Sequence, residues 1–259
     1  MNIVVCVKQV PDTYSERRLD PGDKTLDRAS ADGVINELDE YAIEESLKLA
    51  EATGGTVTVL TMGPEKATES IRKALSMGAD KAVHVLDDSL HGADAVQTSA
   101  ALAAALDKVG FDLVVLGSES TDARMSVVPA MLAERLGLPQ LTYASKVEVD
   151  GSAITVQRQA EYGYDKVEAT LPAVVSVVEK INEPRYPSFK GIMAAKKKEV
   201  ANFGVGDLGL AEADLGLAGA ATEVVEFTPA PPREKGVVVT DEGDGGVKIA
   251  DYLASQKIL

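Results

Sequence analysis

Short apolar runs alternate with helical patterns along the first half of the chain, and this alternation constrains the fold more than any other feature. The runs lie at 3–7, 56–60, 82–86 and 113–116. Runs that are apolar throughout are typical of strands buried on both faces of a sheet. Strands that are joined by helices in this order form right-handed crossovers. The first half therefore predicts an α/β fold with a doubly wound, mostly parallel sheet.

The segments between these runs carry the signals of helix ends. A first helix is expected from Asn36, which can cap it together with Asp39 three residues on, to the glycine pair at 54–55. Further helices are expected over 71–77, over 93–109, and through 131–133 to Gly137.

The pattern changes from Tyr143 onward. The runs 147–149 and 154–156 flank an Asp-Gly turn and predict a β-hairpin. Further elements are expected as strands at 167–170 and 172–178 and as a helix at 188–197. These elements join the first half in one α/β domain over residues 1–200.

Residues 201–259 are rich in Gly, Ala and Pro and regain apolar periodicity only from 247 onward. A segment of this composition has too few apolar residues to form a core of its own. It is expected to be an extended arm whose terminal helix packs on a partner subunit, although the composition also fits a disordered linker.

Composition excludes several classes of protein. With 41 acidic and 26 basic residues, a net charge of −15 disfavours binding to nucleic acid. No apolar run reaches the ~20 residues of a membrane-spanning helix, and the first strand begins at once, without a signal peptide. Cys6 is the single cysteine, so neither an internal disulfide nor a cysteine metal cluster can form. A cytoplasmic protein that is not embedded in a membrane is expected.

The sequence offers few candidate catalytic residues. His84 lies within a predicted strand and His91 in a loop, and neither has a neighbouring metal-ligand pattern. The motifs G-x-S-x-G, Walker A and G-x-G-x-x-G are absent. The chain is therefore expected to carry no catalytic set of its own and to work as one subunit of an assembly.

Ligands of parallel sheets bind beyond the carboxyl ends of the strands, so the loops after residues 7, 62 and 117 are the candidates. The loop 117–124 offers small residues, hydroxyls and Arg124 just before a helix N-terminus. Backbone N–H groups and the helix dipole there suit a phosphate, although a hydrophilic capping loop has the same composition.

Four motifs, in order and at matching spacing, resemble the β subunits of electron transfer flavoproteins. They are V-C-V-K-Q-V-P-D at 5–12, A-L-S-M-G-A-D at 74–80, I-N-E-P-R-Y at 181–186, and I-M-A-A-K-K-K at 192–198. The stretch 156–176 is similar to the signature region of that family, except that Tyr162 stands where a small or acidic residue is usual.

The resemblance implies an adenine-nucleotide-binding type of α/β fold and a heterodimer with an α subunit. FAD would lie at the α–β interface, held mainly by α, while the β subunit carries an AMP without a redox role. The dimer would take electrons from acyl-CoA and related dehydrogenases to a membrane quinone oxidoreductase. Because the flavin performs the chemistry, a missing catalytic set is expected.

The resemblance also assigns residues. The AMP pocket is assigned to Cys6, Asn36, Met62, Gly117, Ser118, Thr121, Asp122, Arg124, Ser126, Val127 and Val128. The side near FAD is assigned to Asp12, Tyr14 and Leu38. Recognition of dehydrogenases is assigned to Glu183, Pro184, Arg185, Tyr186, Phe189 and Ile192.

Two of these assignments depart from the family pattern. Phe189 stands where the family usually has Leu, and its apolar character is kept for an anchor in a partner's pocket. Val127 and Val128 replace polar phosphate contacts, for which Arg124 and Ser126 can compensate.

The lysines at 196–198 can steer acidic partners or can form a solvated helix end.

Other interpretations remain. Electron-bifurcating relatives hold a second FAD in this pocket with a Gly-Asp-Thr-rich loop, which residues 121–125 lack, so a conventional carrier is expected. A free-standing adenine-nucleotide sensor of the universal-stress type fits the first half but leaves the hairpin and arm unexplained. An ATP-pyrophosphatase-like enzyme would need a Ser-Gly-Gly loop, and residues 7–11 do not form one.

Overall fold

Eleven strands form the sheets of the computed structural model, which describes residues 1–232, 236 and 238–258. The strands are β1 Asn2–Cys6, β2 Gln9–Pro11, β3 Gly33–Ile35, β4 Thr56–Met62, β5 Lys81–Val85, β6 Leu113–Gly117, β7 Gln140–Asp150, β8 Ala153–Ala160, β9 Gly163–Thr170, β10 Ala173–Val177 and β11 Val200–Phe203. Nine of them form one sheet in the order β11-β5-β4-β1-β6-β10-β7-β8-β9. The pairing is parallel from β11 to β7 and antiparallel from β7 to β9.

The α-helices are α1 Glu37–Thr53, α2 Thr68–Met77, α3 Ala95–Val109, α4 Val128–Leu136, α5 Phe189–Ala195, α6 Gly216–Gly219 and α7 Gly245–Ser255. Alternate residues of the strands face opposite layers of helices, because successive side chains of a strand point to opposite faces. Ile3 and Val5 of β1 pack toward α1 and α2, whereas Val4 and Cys6 pack toward α3 and α4. This arrangement confirms the doubly wound α/β fold.

The hairpin predicted after Tyr143 is present, and it extends the main sheet. Val147 of β7 pairs with Val156 of β8, and β9 continues the antiparallel ladder to form an edge of the sheet. Strand β10 then returns to the centre of the sheet and lies between β6 and β7.

The chain divides into two compact units, residues 1–225 and 226–259. Residues 201–225, which the sequence grouped with the arm, lie in the first unit. They do so because β11 pairs with β5 at the sheet edge and Val205 is buried in the core beside α3. The sequence contained too short an apolar run to predict β11.

The second unit contains α7, which matches the predicted terminal amphipathic helix and ends at Ser255; Leu259 lies outside the described residues. Its Val247, Ile249 and Tyr252 are exposed. No helix in the described ranges is both long and apolar enough to cross a membrane.

The segment between β2 and β3, residues 12–32, is called the strap below. The sequence predicted only a loop here, whereas β2 and β3 pair antiparallel and close the base of the strap. Outside this base, Asp23 Oδ2 lies 2.7 Å from His91 Nε2, and Lys66 Nζ donates to Ala31 O at 3.2 Å. The strap is thus fastened to the loops that follow β4 and β5.

Candidate functional site

The winding of the sheet reverses between β1 and β6, and the region beyond the carboxyl ends of these two strands is called the crevice below. Helix α1 leaves β1 toward one face, and α3 enters β6 from the other. Such a reversal is where ligands of open α/β sheets bind. Gly117 ends β6 at this point, and a Cβ added to it would lie 2.6 Å from Asp39 Oδ1 and 2.9 Å from Leu38 C. Only glycine lets α1 approach β6 so closely.

Asn36 does not cap α1 with its side chain, which corrects the capping box expected from the sequence. Its Nδ2 instead donates to Asp39 Oδ1 at 2.9 Å and to Glu119 O at 3.0 Å. Its Oδ1 accepts the backbone N–H of Thr121 at 3.0 Å. One buried amide therefore ties the start of α1 to the loop after β6.

Asp39 is a buried carboxyl group at the bottom of the crevice. The backbone N–H of Lys8 donates to its Oδ2 at 2.8 Å, and Asn36 donates to its other oxygen. Burial raises the pKa of Asp39 to about 7, against the opposing effect of these two donors. The sequence had indicated only a helix-capping role for Asp39.

Asp122 forms an ion-paired cluster with two cations that the sequence did not single out. Its Oδ1 lies 2.9 Å from Lys8 Nζ, and its Oδ2 lies 2.8 Å from Arg28 Nη2 of the strap. Only 1% of the Asp122 side chain is exposed. Although burial alone would raise the pKa of Asp122, the charge and hydrogen bond of Lys8 hold it well below its usual value. The cluster joins β1, the strap and the loop after β6.

The rest of the loop after β6 is turned by two residues with positive φ, Arg124 at 50° and Ser126 at 56°. Ser126 Oγ donates to Glu119 Oε2 at 2.9 Å, so this hydroxyl is engaged within the loop. Thr121 Oγ1 is buried and has no hydrogen-bond partner among the residues that the structure describes. Buried polar groups are normally paired, so a buried hydroxyl without a protein partner in this loop is a candidate contact for a ligand.

The wall of the crevice on the α3 and α4 side is apolar. Cys6, Met62 and Val128 pack at the edge of the core on that side. Burial raises the pKa of the Cys6 thiol, which therefore stays protonated and behaves as a small apolar side chain. His84 is buried outside this wall, with its Nε2 2.9 Å from Gly63 O, as expected for a core histidine.

The residues assigned to AMP therefore lie at the same end of the sheet, on β1, β4 and β6, at the residue before α1, in the loop after β6 and at the start of α4. Ser118 continues β6, since its N–H donates to Val177 O at 2.9 Å, and Val127 leads directly into α4. Of the residues assigned to the FAD side, Leu38 contacts the Gly117 region, and Asp12 caps the turn that displays Tyr14. Tyr14 is 99% exposed on the strap.

The segment assigned to dehydrogenase recognition lies on the α1 and α2 side, away from the crevice. Tyr186 is 94% exposed and Phe189 is 80% exposed, and Glu183 and Ile192 are exposed as well. Arg185 differs from the expectation, because its guanidinium turns inward to Glu44 and Glu51 of α1. Pro184 beside it is half-buried.

Comparison with known proteins places this sequence in a family. The family model of the electron transfer flavoprotein domain matches residues 23–208. The chain belongs to the electron transfer flavoprotein family. It is 56% identical to the electron transfer flavoprotein subunit β of Mycobacterium tuberculosis over an alignment that covers 100% of this chain and 99% of that protein. Subunit β of Mycobacterium leprae gives the same identity and coverage.

A more distant relative, 37% identical over 93% of this chain and 92% of its own length, is the subunit CarD of a caffeyl-CoA reductase–Etf complex from Acetobacterium woodii. These matches confirm the resemblance found in the motifs and connect the chain to flavoproteins of electron transport. Because the similarity to β subunits of electron transfer flavoproteins runs along the whole chain, a free-standing sensor is disfavoured.

Replacement of Asp122 by Asn is expected to lower the free energy of unfolding by about 1–2 kcal/mol. The change leaves Lys8 and Arg28 beside each other without their shared counter-ion, but both cations are 38–40% exposed, so water screens part of the repulsion. Thermal denaturation by circular dichroism measures the loss. Asp107→Asn removes the same charge from an exposed position on α3 and is the control. Equal effects of the two substitutions would contradict a structural role of the cluster.

Proposed function

We propose that this chain is the β subunit of a heterodimeric electron transfer flavoprotein of the cytoplasm. The dimer takes electrons from acyl-CoA and related dehydrogenases and passes them to a membrane quinone oxidoreductase. The chain acts as a carrier subunit without catalytic residues of its own. Its relationship to β subunits along its full length supports this role and implies an α subunit as its partner.

The observation that carries the nucleotide part of the proposal is the crevice between β1 and β6. It combines an apolar wall, two cations and the unpaired hydroxyl of Thr121. An adenine ring suits the wall of Cys6, Met62 and Val128, while the loop 118–127 suits a phosphate through its backbone N–H groups. We therefore propose AMP as the ligand.

We further propose that FAD binds at a different surface of this chain from AMP. Bound between the subunits, it would supply the electron-accepting ring. Tyr14 and Asp12 on the strap and Leu38 on α1 are the residues of this chain that we propose to lie near it. The strap holds its place through the Asp122 cluster and its contacts with His91 and Lys66, so it presents Tyr14 from a fixed support.

A second FAD in place of AMP is the alternative, and the similarity to a subunit of the caffeyl-CoA reductase–Etf complex favours considering it. The loop argues for AMP. Residues 121–125 lack the Gly-Asp-Thr pattern, and Asp122, the carboxylate in this stretch, is already paired with two cations.

Native mass spectrometry of the gently purified complex tests the proposal, with the released small molecules identified. A one-to-one complex with a larger subunit that carries one FAD and one AMP is expected. Two FAD without AMP would keep the family and overturn the conventional carrier. A homo-oligomer with an adenine nucleotide and no flavin would overturn the heterodimer.

A further inference from the structure

The recognition segment, residues 181–198, exposes four large apolar side chains. Tyr186, Phe189, Ile192 and Met193 are all exposed, and Ala195 is the one residue of α5 that is buried. Removing apolar surface from water is favourable, so these side chains would pack onto the nearby protein surface if the backbone beneath them could move. The contacts of the backbone and of the polar side chains therefore decide whether this surface exists before a partner arrives.

One end of the segment is fastened to α1 through Arg185. Its Nε donates to Glu44 Oε2 at 2.7 Å and its Nη2 to Glu44 Oε1 at 3.0 Å, while its backbone N–H also reaches Glu44. Its Nη1 donates to Glu51 Oε1 at 2.6 Å. Glu44 is buried, and paired geometry of this kind is the strong form of an ion pair. Asn182 adds hydrogen bonds to Tyr41 O and Glu45 Oε2, both at 3.0 Å.

The other end is fastened to α2, with the positions of donor and acceptor exchanged. Here the arginine lies on the supporting helix, and Arg72 Nη1 donates to Ala195 O at 2.7 Å and to Lys198 O at 3.0 Å. Lys198 Nζ in turn donates to carbonyl oxygens at the end of α2, those of Leu75, Gly78 and Ala79. These bonds satisfy carbonyl groups that a helix end otherwise leaves unpaired.

The middle of the segment is held by close contact. A Cβ added to Gly191 would lie 2.5 Å from Ser76 O, so α5 rests directly on α2. Ser188 begins α5 as its cap, with its Oγ accepting the N–H of Gly191 at 3.0 Å. The segment is thus held at both ends and at its centre, with its apolar side chains turned outward.

We propose that Arg185 and Arg72 are positioning residues that hold this segment in its docking conformation before a dehydrogenase arrives. The inference rests on the proposed function, in which the segment recognises dehydrogenases. A preformed surface removes the ordering cost from the binding step. The two arginines therefore act on the affinity for the partner, without touching the partner or the flavin.

The test uses the intact heterodimer with Arg185→Gln, Arg72→Gln and, as the conservative change, Arg185→Lys. Hydrogen–deuterium exchange measures order in 181–198, and steady-state kinetics use an acyl-CoA dehydrogenase reduced by its acyl-CoA substrate. Both Gln variants are expected to exchange faster in this segment alone and to raise KM for the dehydrogenase about tenfold. The kcat and the flavin content should remain unchanged.

Arg185→Lys is expected to be intermediate, because an ammonium group cannot pair with two carboxylates as a guanidinium does. Lys180→Gln removes one positive charge from an exposed neighbouring side chain and controls for loss of charge. If Arg72→Gln does not fold, Arg72→Lys, which retains a donor, replaces it. A higher KM without faster exchange would mean that the arginines touch the partner directly, and it would overturn the positioning role.

Phe189→Ala, measured in parallel, distinguishes failure of the positioning role from failure of the recognition surface, because it keeps both arginines. If the arginine variants exchange faster but keep a normal KM while Phe189→Ala raises the KM, the segment recognises the dehydrogenase without needing to be ordered in advance. This outcome would overturn the positioning role. A normal KM in the arginine variants and in Phe189→Ala would instead overturn the recognition surface of the proposed function.

Discussion

Substitution of Phe189 by Ala is expected to lower kcat/KM for electron transfer from an acyl-CoA dehydrogenase about 30-fold. Phe189 is 80% exposed at the start of α5 and is flanked by Tyr186 and Ile192, which are exposed as well. A single aromatic anchor of this kind commonly contributes ~2 kcal/mol to an interface, which corresponds to a factor of about 30. Stopped-flow or steady-state reduction of the carrier by the dehydrogenase measures the loss.

The loss should appear without dissociation of the subunits or release of flavin. Val96→Ala is a suitable control, since Val96 is an exposed apolar residue of α3 on the opposite face of the sheet. It should leave the rate unchanged. Loss of FAD or of the partner subunit from the Phe189→Ala protein would contradict the assignment of this surface to dehydrogenases.

The second large effect concerns Asp39 and the dependence of stability on pH. The folded state raises the pKa of Asp39 to about 7, above its value of ~3.9 in an unfolded chain. The folded protein therefore binds more protons between these two pKa values. The contribution of Asp39 to stability is fully present below pH ~3.9 and is lost as the pH rises toward 7.

Between pH 5 and pH 8 the Asp39 carboxyl should remove about 3 kcal/mol from the free energy of unfolding, since one pH unit corresponds to about 1.4 kcal/mol. Asp39→Asn abolishes this titration. The wild-type protein should therefore lose more stability than the variant as the pH rises over this range. Urea denaturation at both pH values, at one protein concentration because subunit binding adds to apparent stability, measures the two slopes.

Comparing the pH dependence of stability in the two proteins cancels the contributions of other titrating groups. Burial lowers the pKa of His84, so this histidine makes stability increase with pH below ~6.5, but it does so equally in both proteins. The absolute stability of the variant is not diagnostic, because an amide at position 39 must direct its NH₂ group toward the donors of Lys8 or Asn36. Equal slopes would show that Asp39 does not titrate near neutral pH.

The fold was predictable where the pattern of one segment determines its structure. The apolar runs of β1, β4, β5 and β6 and the glycines at helix ends indicated the parallel half of the sheet. The pairing of β10 between β6 and β7 was not predictable, because the order of strands depends on packing between segments distant in sequence. Strand β11 was missed because four residues at a sheet edge carry little periodicity.

The candidate site shows the same division. The candidate loops followed from the ends of the predicted strands and from loop composition, and the assigned loop residues lie beyond the end of β6. The charges that organise the crevice did not follow. Lys8, Arg28 and Asp122 lie far apart in the sequence. Lys8 meets Asp122 because β1 and β6 are neighbours in the sheet, and the strap adds Arg28. The inward direction of Arg185 was hidden for the same reason, since its partners belong to α1.

The central position of β10 also determines the order in which the sheet can be completed during synthesis. Strand β6 ends at Gly117, yet one of its two neighbours, β10, begins only at Ala173. A nascent chain that has just produced β6 therefore presents an open strand edge until about sixty further residues have left the ribosome. The β7–β9 meander, whose contacts are local, can form during this interval and wait for β10. Strand β10 pairs with both β6 and β7, so the contacts between the parallel half of the sheet and the meander depend on it.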